Sequence, residues 1–146
     1  MKKFTIERQV QLHETDLGGL MHHPNYFNWM ESAEYELFEE LDEPVVGPLD
    51  ADMLGSGWPR SEVAMKFLKP LHFRDRVEIE LSVTRIRAAS ISYKANFYLM
   101  QDSERLLVAE GSYTTIHCMY DSKRLEDPKI CPANPEFLEK MQEYKG

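Results

Sequence analysis

The stretch Pro24-Asn25-Tyr26-Phe27-Asn28-Trp29-Met30-Glu31-Ser32-Ala33-Glu34-Tyr35-Glu36-Leu37-Phe38-Glu39-Glu40-Leu41 decides how the rest of the chain folds. Tyr26, Phe27, Met30, Ala33, Leu37, Phe38 and Leu41 recur at spacings of three and four, the period of one helix face. Five glutamates occupy most of the remaining positions. Pro24 suits a first helical turn, where its missing N–H costs nothing. Glu43-Pro44 closes the segment. The pattern predicts a helix over 24–41, about 27 Å long at 1.5 Å per residue. Its stripe is broad and rich in large side chains, so a sheet should cover it.

Strands lie on both sides. Phe4, Ile6, Val10 and Leu12 alternate with polar residues before the helix. After it come Val63, Met65 and Phe67, then the cleaner alternation Val77, Ile79, Leu81 and Val83. A phase slip at Arg85-Ile86 predicts a bulge. Ile91, Tyr93, Ala95, Phe97 and Leu99 form the next strand, and Leu106 to Cys118 the last. That last pattern is mixed, as for a strand covered on both faces. Short connections at 88–90 and 101–103 favour antiparallel pairing. Residues 44–60 carry Pro44, Gly47, Pro48, Gly55, Gly57 and Pro59 and read as loop. Residues 121–135 read as loop too, and 136–144 as a short terminal helix. The order is one strand, one long helix, four strands. It predicts an α+β domain over 1–146, with a five-stranded antiparallel sheet curved around one long central helix.

Composition narrows the class. The chain has 146 residues, 42% hydrophobic and 29% charged, an ordinary globular mix. Seventeen Lys+Arg against 25 Asp+Glu give a net charge of −8, which argues against a nucleic-acid binder. No apolar run is long enough to span a membrane. The start, MKKFTIERQ, lacks the apolar core of a signal peptide. Cys118 and Cys131 are too few for a disulfide framework, and a cytoplasmic protein with reduced thiols is expected.

The residues that could carry chemistry precede the helix: His13-Glu14-Thr15-Asp16-Leu17-Gly18-Gly19-Leu20-Met21-His22-His23-Pro24-Asn25-Tyr26. Three readings compete. One is a plain connection whose glycines turn the chain and whose histidines are solvated. A second is a metal site, although the spacing of His13, Asp16, His22 and His23 matches no closed zinc pattern. The third is acyl transfer or hydrolysis. Asp16 would then attack a carbonyl or activate water, and free amides at the helix start would bind the developing oxyanion. Pro24 cannot donate, so the His23 amide is the first candidate donor and that of Asn25 the second.

Thr15-Asp16-x-Gly18-Gly19-x-x-x-His23-x-x-Tyr26-x-x-Trp29-x-Glu31-x-Ala33 resembles the signature of the 4-hydroxybenzoyl-CoA thioesterase family, acyl-CoA hydrolases of the hotdog fold. Phe67-Leu68-Lys69-Pro70-Leu71-His72-Phe73-Arg74-Asp75 and Val108-Ala109-Glu110-Gly111 continue the likeness, which spans about Glu7 to Pro132. The resemblance implies that Asp16 is the catalytic carboxylate, as nucleophile or general base, with the helix start and His23 beside it. It implies an acyl-CoA substrate, and a homodimer or homotetramer with the acyl pocket at a subunit interface. Thioester chemistry requires no metal or other cofactor. Tyr26, Asn25 and Trp58 are candidate substrate contacts, and Glu31 is an alternative or supporting carboxylate. CoA is polyanionic, so some of Arg60, Lys66, Lys69, Arg74, Arg76, Arg85 and Arg87 should meet it. Three positions depart from the family pattern. Glu14 stands where many relatives have Asp, Glu34 where many have Arg, and Arg74 where Gly is usual. The same fold also hosts hydratases and dehydratases, and a non-catalytic acyl-CoA binder is a further alternative.

Overall fold

The computed structural model describes residues 2–121, 123 and 127–146. Strand β1 (Phe4–Gln9) leads through a 3₁₀ turn (Leu12–Glu14) into α1 (Pro24–Glu40). There follow β2 (Leu54–Gly57), β3 (Arg60–Phe67), β4 (Arg76–Arg87), β5 (Ser90–Gln101), β6 (Glu104–Ile116), β7 (Cys118–Asp121), β8 (Lys129–Ile130) and α2 (Pro135–Met141). Five strands make the main antiparallel sheet, in the order β1-β4-β5-β6-β3. This is the expected architecture.

One face of the sheet wraps α1, which buries Tyr26, Trp29, Met30, Ala33, Leu37 and Phe38. The alternation in β4 places Val77, Ile79, Leu81 and Val83 in the core. The expected bulge lies between Val83 and Arg85 in the pairing with β5. At the far end of the core, Phe137 of α2 packs against Phe38 with ring centroids 4.7 Å apart.

Three expectations need correction. Residues 44–60 are not all loop, because Leu54–Gly57 is strand β2. Part of 121–135 is strand β8, although residues 122 and 124–126 of that expected loop lie outside the described residues. These strands make a small second sheet, β2-β7-β8. Close packing explains the glycine content there: a Cβ on Gly55 would stand 2.8 Å from the Tyr120 ring. Finally, β6 is not covered on both faces. From Ala109 onward it alternates, and its mixed pattern reflects the register shift opposite Phe97 and Tyr98.

Candidate active site

The loop before α1 is shaped around Asp16. Its Oδ1 accepts the Gly18 N–H at 2.8 Å and the Leu20 N–H at 3.1 Å. The Asp16 N–H donates to the Leu20 carbonyl at 2.7 Å, and the Gly19 N–H to the Asp16 carbonyl at 3.1 Å. Gly19 takes φ +82°, a conformation costly for other residues. Both side-chain bonds fall on Oδ1, and Oδ2 accepts none among the described residues. The carboxylate is therefore fixed through one oxygen, and the other is unbonded among the described residues.

Glu14 anchors this loop to the helix. Its Oε1 accepts the Gln11 N–H at 2.8 Å and its Oε2 the Trp29 Nε1–H at 3.0 Å. Its carbonyl accepts the His22 N–H at 2.7 Å and Asn25 Nδ2–H at 2.9 Å. Met21 donates to the Leu71 carbonyl at 2.8 Å, which docks the loop on the segment after β3.

At the start of α1, the Asn25 N–H donates to the His22 carbonyl at 3.0 Å and the Tyr26 N–H to the His23 carbonyl at 3.2 Å. Pro24 has no N–H. The His23 N–H has no partner among the described residues. Of the two amides weighed from the sequence, that of His23 is free and that of Asn25 is committed.

Asp16, His22, His23, Tyr26, Phe67 and Lys69 help line one cleft of ≈ 350 Å³. Tyr26 forms its inner wall, edge-on to Phe67 at 5.0 Å and to Phe97 at 5.6 Å. Burial, followed by the charge of Asp75, pushes the Tyr26 hydroxyl up to about 12, so it keeps its proton at neutral pH. Trp58 lies elsewhere: it packs against Phe38, His117 and Phe137. Asn25 holds the loop through Glu14. Glu31 is half-buried, with Oε2 3.8 Å from Arg60 Nη1. Among the described residues no group of three or more His, Cys, Asp or Glu side chains could hold a metal ion.

The sequence reading missed a buried polar cluster further along the helix. Glu34 is fully buried and ion-paired with Arg60, Oε1 to Nη2, at 2.5 Å. Burial pushes its carboxyl up to about 7, against the opposing pull of Arg60. Its departure from the family pattern was the available signal. The Arg60 guanidinium also lies 4.9 Å from the Tyr113 ring centroid.

The model of the thioesterase superfamily matches residues 18–105, more than half of the chain, and the chain belongs to that superfamily. A curated protein of Aquifex aeolicus named "Putative esterase" is 26% identical over 140 residues, covering 96% of this chain and 98% of that one. An acyl-acyl carrier protein thioesterase of Arabidopsis thaliana is 24% identical over 106 residues, 73% of this chain and 54% of its own. Among solved structures, the dynemicin thioesterase superposes with a TM-score of 0.81 at 14% identity, over 99% of both chains. A mutant 4-hydroxybenzoyl CoA thioesterase complexed with 4-hydroxybenzoyl CoA gives 0.80 at 16% identity, over 95% of this chain and 98% of that one. The shared architecture is the hotdog fold.

Proposed function

We propose that the chain hydrolyses an acyl-CoA thioester at the Asp16 cleft. The observation that carries this reading is the pairing of a half-tethered carboxylate with an unpartnered amide in one cleft. Asp16 Oδ1 is held by two N–H groups, and its Oδ2 has no partner among the described residues. The free His23 N–H stands at a helix start, where unbonded amides and the helix dipole favour negative charge.

In the mechanism, the thioester carbonyl oxygen accepts the His23 N–H. Asp16 takes a proton from water as the water oxygen adds to the carbonyl carbon. Alternatively Asp16 attacks that carbon itself, and water then cleaves the resulting anhydride. The C–S bond breaks, CoA leaves as thiolate and takes up a proton, and the acid is released. A donor that needs no reorganisation to meet the developing oxyanion lowers the barrier, and the free His23 N–H is that donor in this reading. Tyr26 supports the acyl group. Lys69 at the cleft, with Lys66 and Arg74 nearby in sequence, gives the polyanionic carrier a local positive field on an acidic chain. Glu31, 3.8 Å from Arg60 Nη1, is kept as the alternative carboxylate.

The Arabidopsis relative is named for an acyl carrier protein substrate, and the 4-hydroxybenzoyl neighbour for a CoA thioester. Carrier proteins are usually acidic, so CoA suits this chain better. A second copy is expected along β3, an edge strand with exposed Val63 and Phe67 followed by exposed Leu68. No helix among the described residues is long and apolar enough to cross a membrane. We place the protein in the cytoplasm, in keeping with its free Cys118 and Cys131.

The test is thiol release from aromatic and aliphatic acyl-CoAs, with product analysis. Free CoA supports hydrolysis. A hydrated, intact thioester points to a hydratase, and binding without turnover to a carrier.

A further inference from the structure

Tyr26 stands in the first turn of α1, and its side chain leans back towards the helix start, as helical side chains do. Only 3% of it is exposed. Its ring is wedged edge-on against Phe67 and Phe97. The hydroxyl is the exception to that packing. It is not among the sealed polar atoms of the core, and it makes no hydrogen bond among the described residues, so it opens on the cleft that Tyr26 lines. Burial and the charge of Asp75 keep its proton in place, so it offers the cleft a neutral donor.

The cleft ends at that ring. Behind it Phe97 is fully buried. One turn further along α1, a Cβ on Gly111 would stand 2.8 Å from Met30 Sδ and 3.1 Å from Met65 Cε. Helix and sheet are in contact there, and a long chain has no path deeper. The ≈ 350 Å³ of the cleft must also hold the thioester itself and the end of the carrier arm.

We propose that Tyr26 sets the acyl specificity of the Asp16 cleft: its ring is a floor that admits only a compact acyl group, and its hydroxyl donates to an uncharged oxygen on that group. An ether, keto or hydroxyl oxygen meets the requirement. A carboxylate would bring a second negative charge to a cleft that holds Asp16 and feels Asp75. An ammonium can only donate, and would leave the Tyr26 proton unpaired. A plain alkyl chain would strip water from the hydroxyl and return no acceptor. The inference rests on the Asp16 cleft being the thioester site.

The experiment uses isosteric pairs of CoA thioesters, butanoyl with methoxyacetyl and pentanoyl with 3-methoxypropanoyl, in which one CH₂ is exchanged for oxygen. Octanoyl-CoA probes the floor. Thiol release gives kcat/KM for the wild type and for Tyr26→Phe, which keeps the ring and removes only the hydroxyl. A nearby oxygen makes the thioester carbonyl more reactive in itself, so the readout is the change in preference between the two proteins. In at least one pair the preference for oxygen should fall about fivefold in Tyr26→Phe, with Tm unchanged. Octanoyl-CoA should be turned over at least about tenfold less efficiently than butanoyl-CoA by the wild type. The same preferences in both proteins, octanoyl turnover equal to butanoyl, or a Tyr26→Phe chain that fails to fold would overturn the proposal. Thiol release with any of these results leaves hydrolysis standing. If the wild type releases thiol from no member, the hydrolysis reading fails, and calorimetry on the same pairs decides. Tighter binding of the oxygen member that is lost in Tyr26→Phe sustains the role of Tyr26, and equal or absent binding overturns it.

Discussion

Trp29 Nε1 donates to Glu14 Oε2 at 3.0 Å, and that bond ties the second turn of α1 to the loop carrying Asp16. Glu14 receives three further bonds, from Gln11, His22 and Asn25. Glu14→Ala breaks the two made by its side chain, and should cost about 1–3 kcal/mol. It should lower kcat more than it raises KM, because Asp16 is held less firmly. Trp29→Phe removes a single donor and should do less on both counts. Urea unfolding beside steady-state kinetics reads both effects.

The glycine pair separates backbone strain from carboxylate placement. Gly19 has φ +82° and open space around it, so Gly19→Ala pays only a conformational penalty, about 1–2 kcal/mol. A Cβ on Gly18 would stand 3.3 Å from Asp16 Oδ1. Gly18→Ala should therefore disturb activity with little change in Tm. A larger stability loss at position 18 than at 19 would contradict this geometry.

Arg74 has φ +72°, in the left-handed region, at a position where the family pattern has Gly. Arg74→Gly relieves that strain. It gives up the Arg74–Phe73 contact at 5.1 Å and makes the unfolded chain more flexible. The net expectation is a gain of about 0.5–1 kcal/mol. Thermal unfolding measures it directly.

The Glu34 carboxyl stands at about 7 in the folded chain, against an ordinary value of 4.5. The folded chain therefore holds this proton more tightly than the unfolded one. The group's contribution to stability is full below about 4.5, is lost as pH rises towards about 7, and is flat above that. Wild type should lose stability relative to Glu34→Gln across that window. Arg60→Leu alone leaves a buried carboxylate unpaired and should cost about 3–5 kcal/mol, whereas Arg60→Leu with Glu34→Leu should be close to neutral.

The main sheet and the long helix were legible because their signals are local. Period-two alternation in β4 and β5, and period-four spacing in α1, each survive in a single stretch of sequence. β2 and β8 were not legible, because Leu54-Gly55-Ser56-Gly57 has no alternation and β8 has only two residues. Their strand character comes from pairing with β7. At the site, the Asp16 turn follows from Asp16, Gly18 and Gly19 themselves. The Glu34–Arg60 pair joins residues 26 apart on different elements, which composition cannot reveal. Trp58 is the opposite case: a loop aromatic suggested a substrate contact, but the fold packs it against Phe38 and Phe137.

The central claim is that Asp16 performs the chemistry. The most direct measurement is thiol release from an acyl-CoA panel by the wild type and by Asp16→Asn, with circular dichroism on both. The account predicts turnover by the wild type and a loss of at least about a hundredfold in the folded mutant, since one positioned acid–base group contributes roughly that much. A folded Asp16→Asn protein as active as the wild type would contradict it and move the chemistry elsewhere, with Glu31 next to be tested.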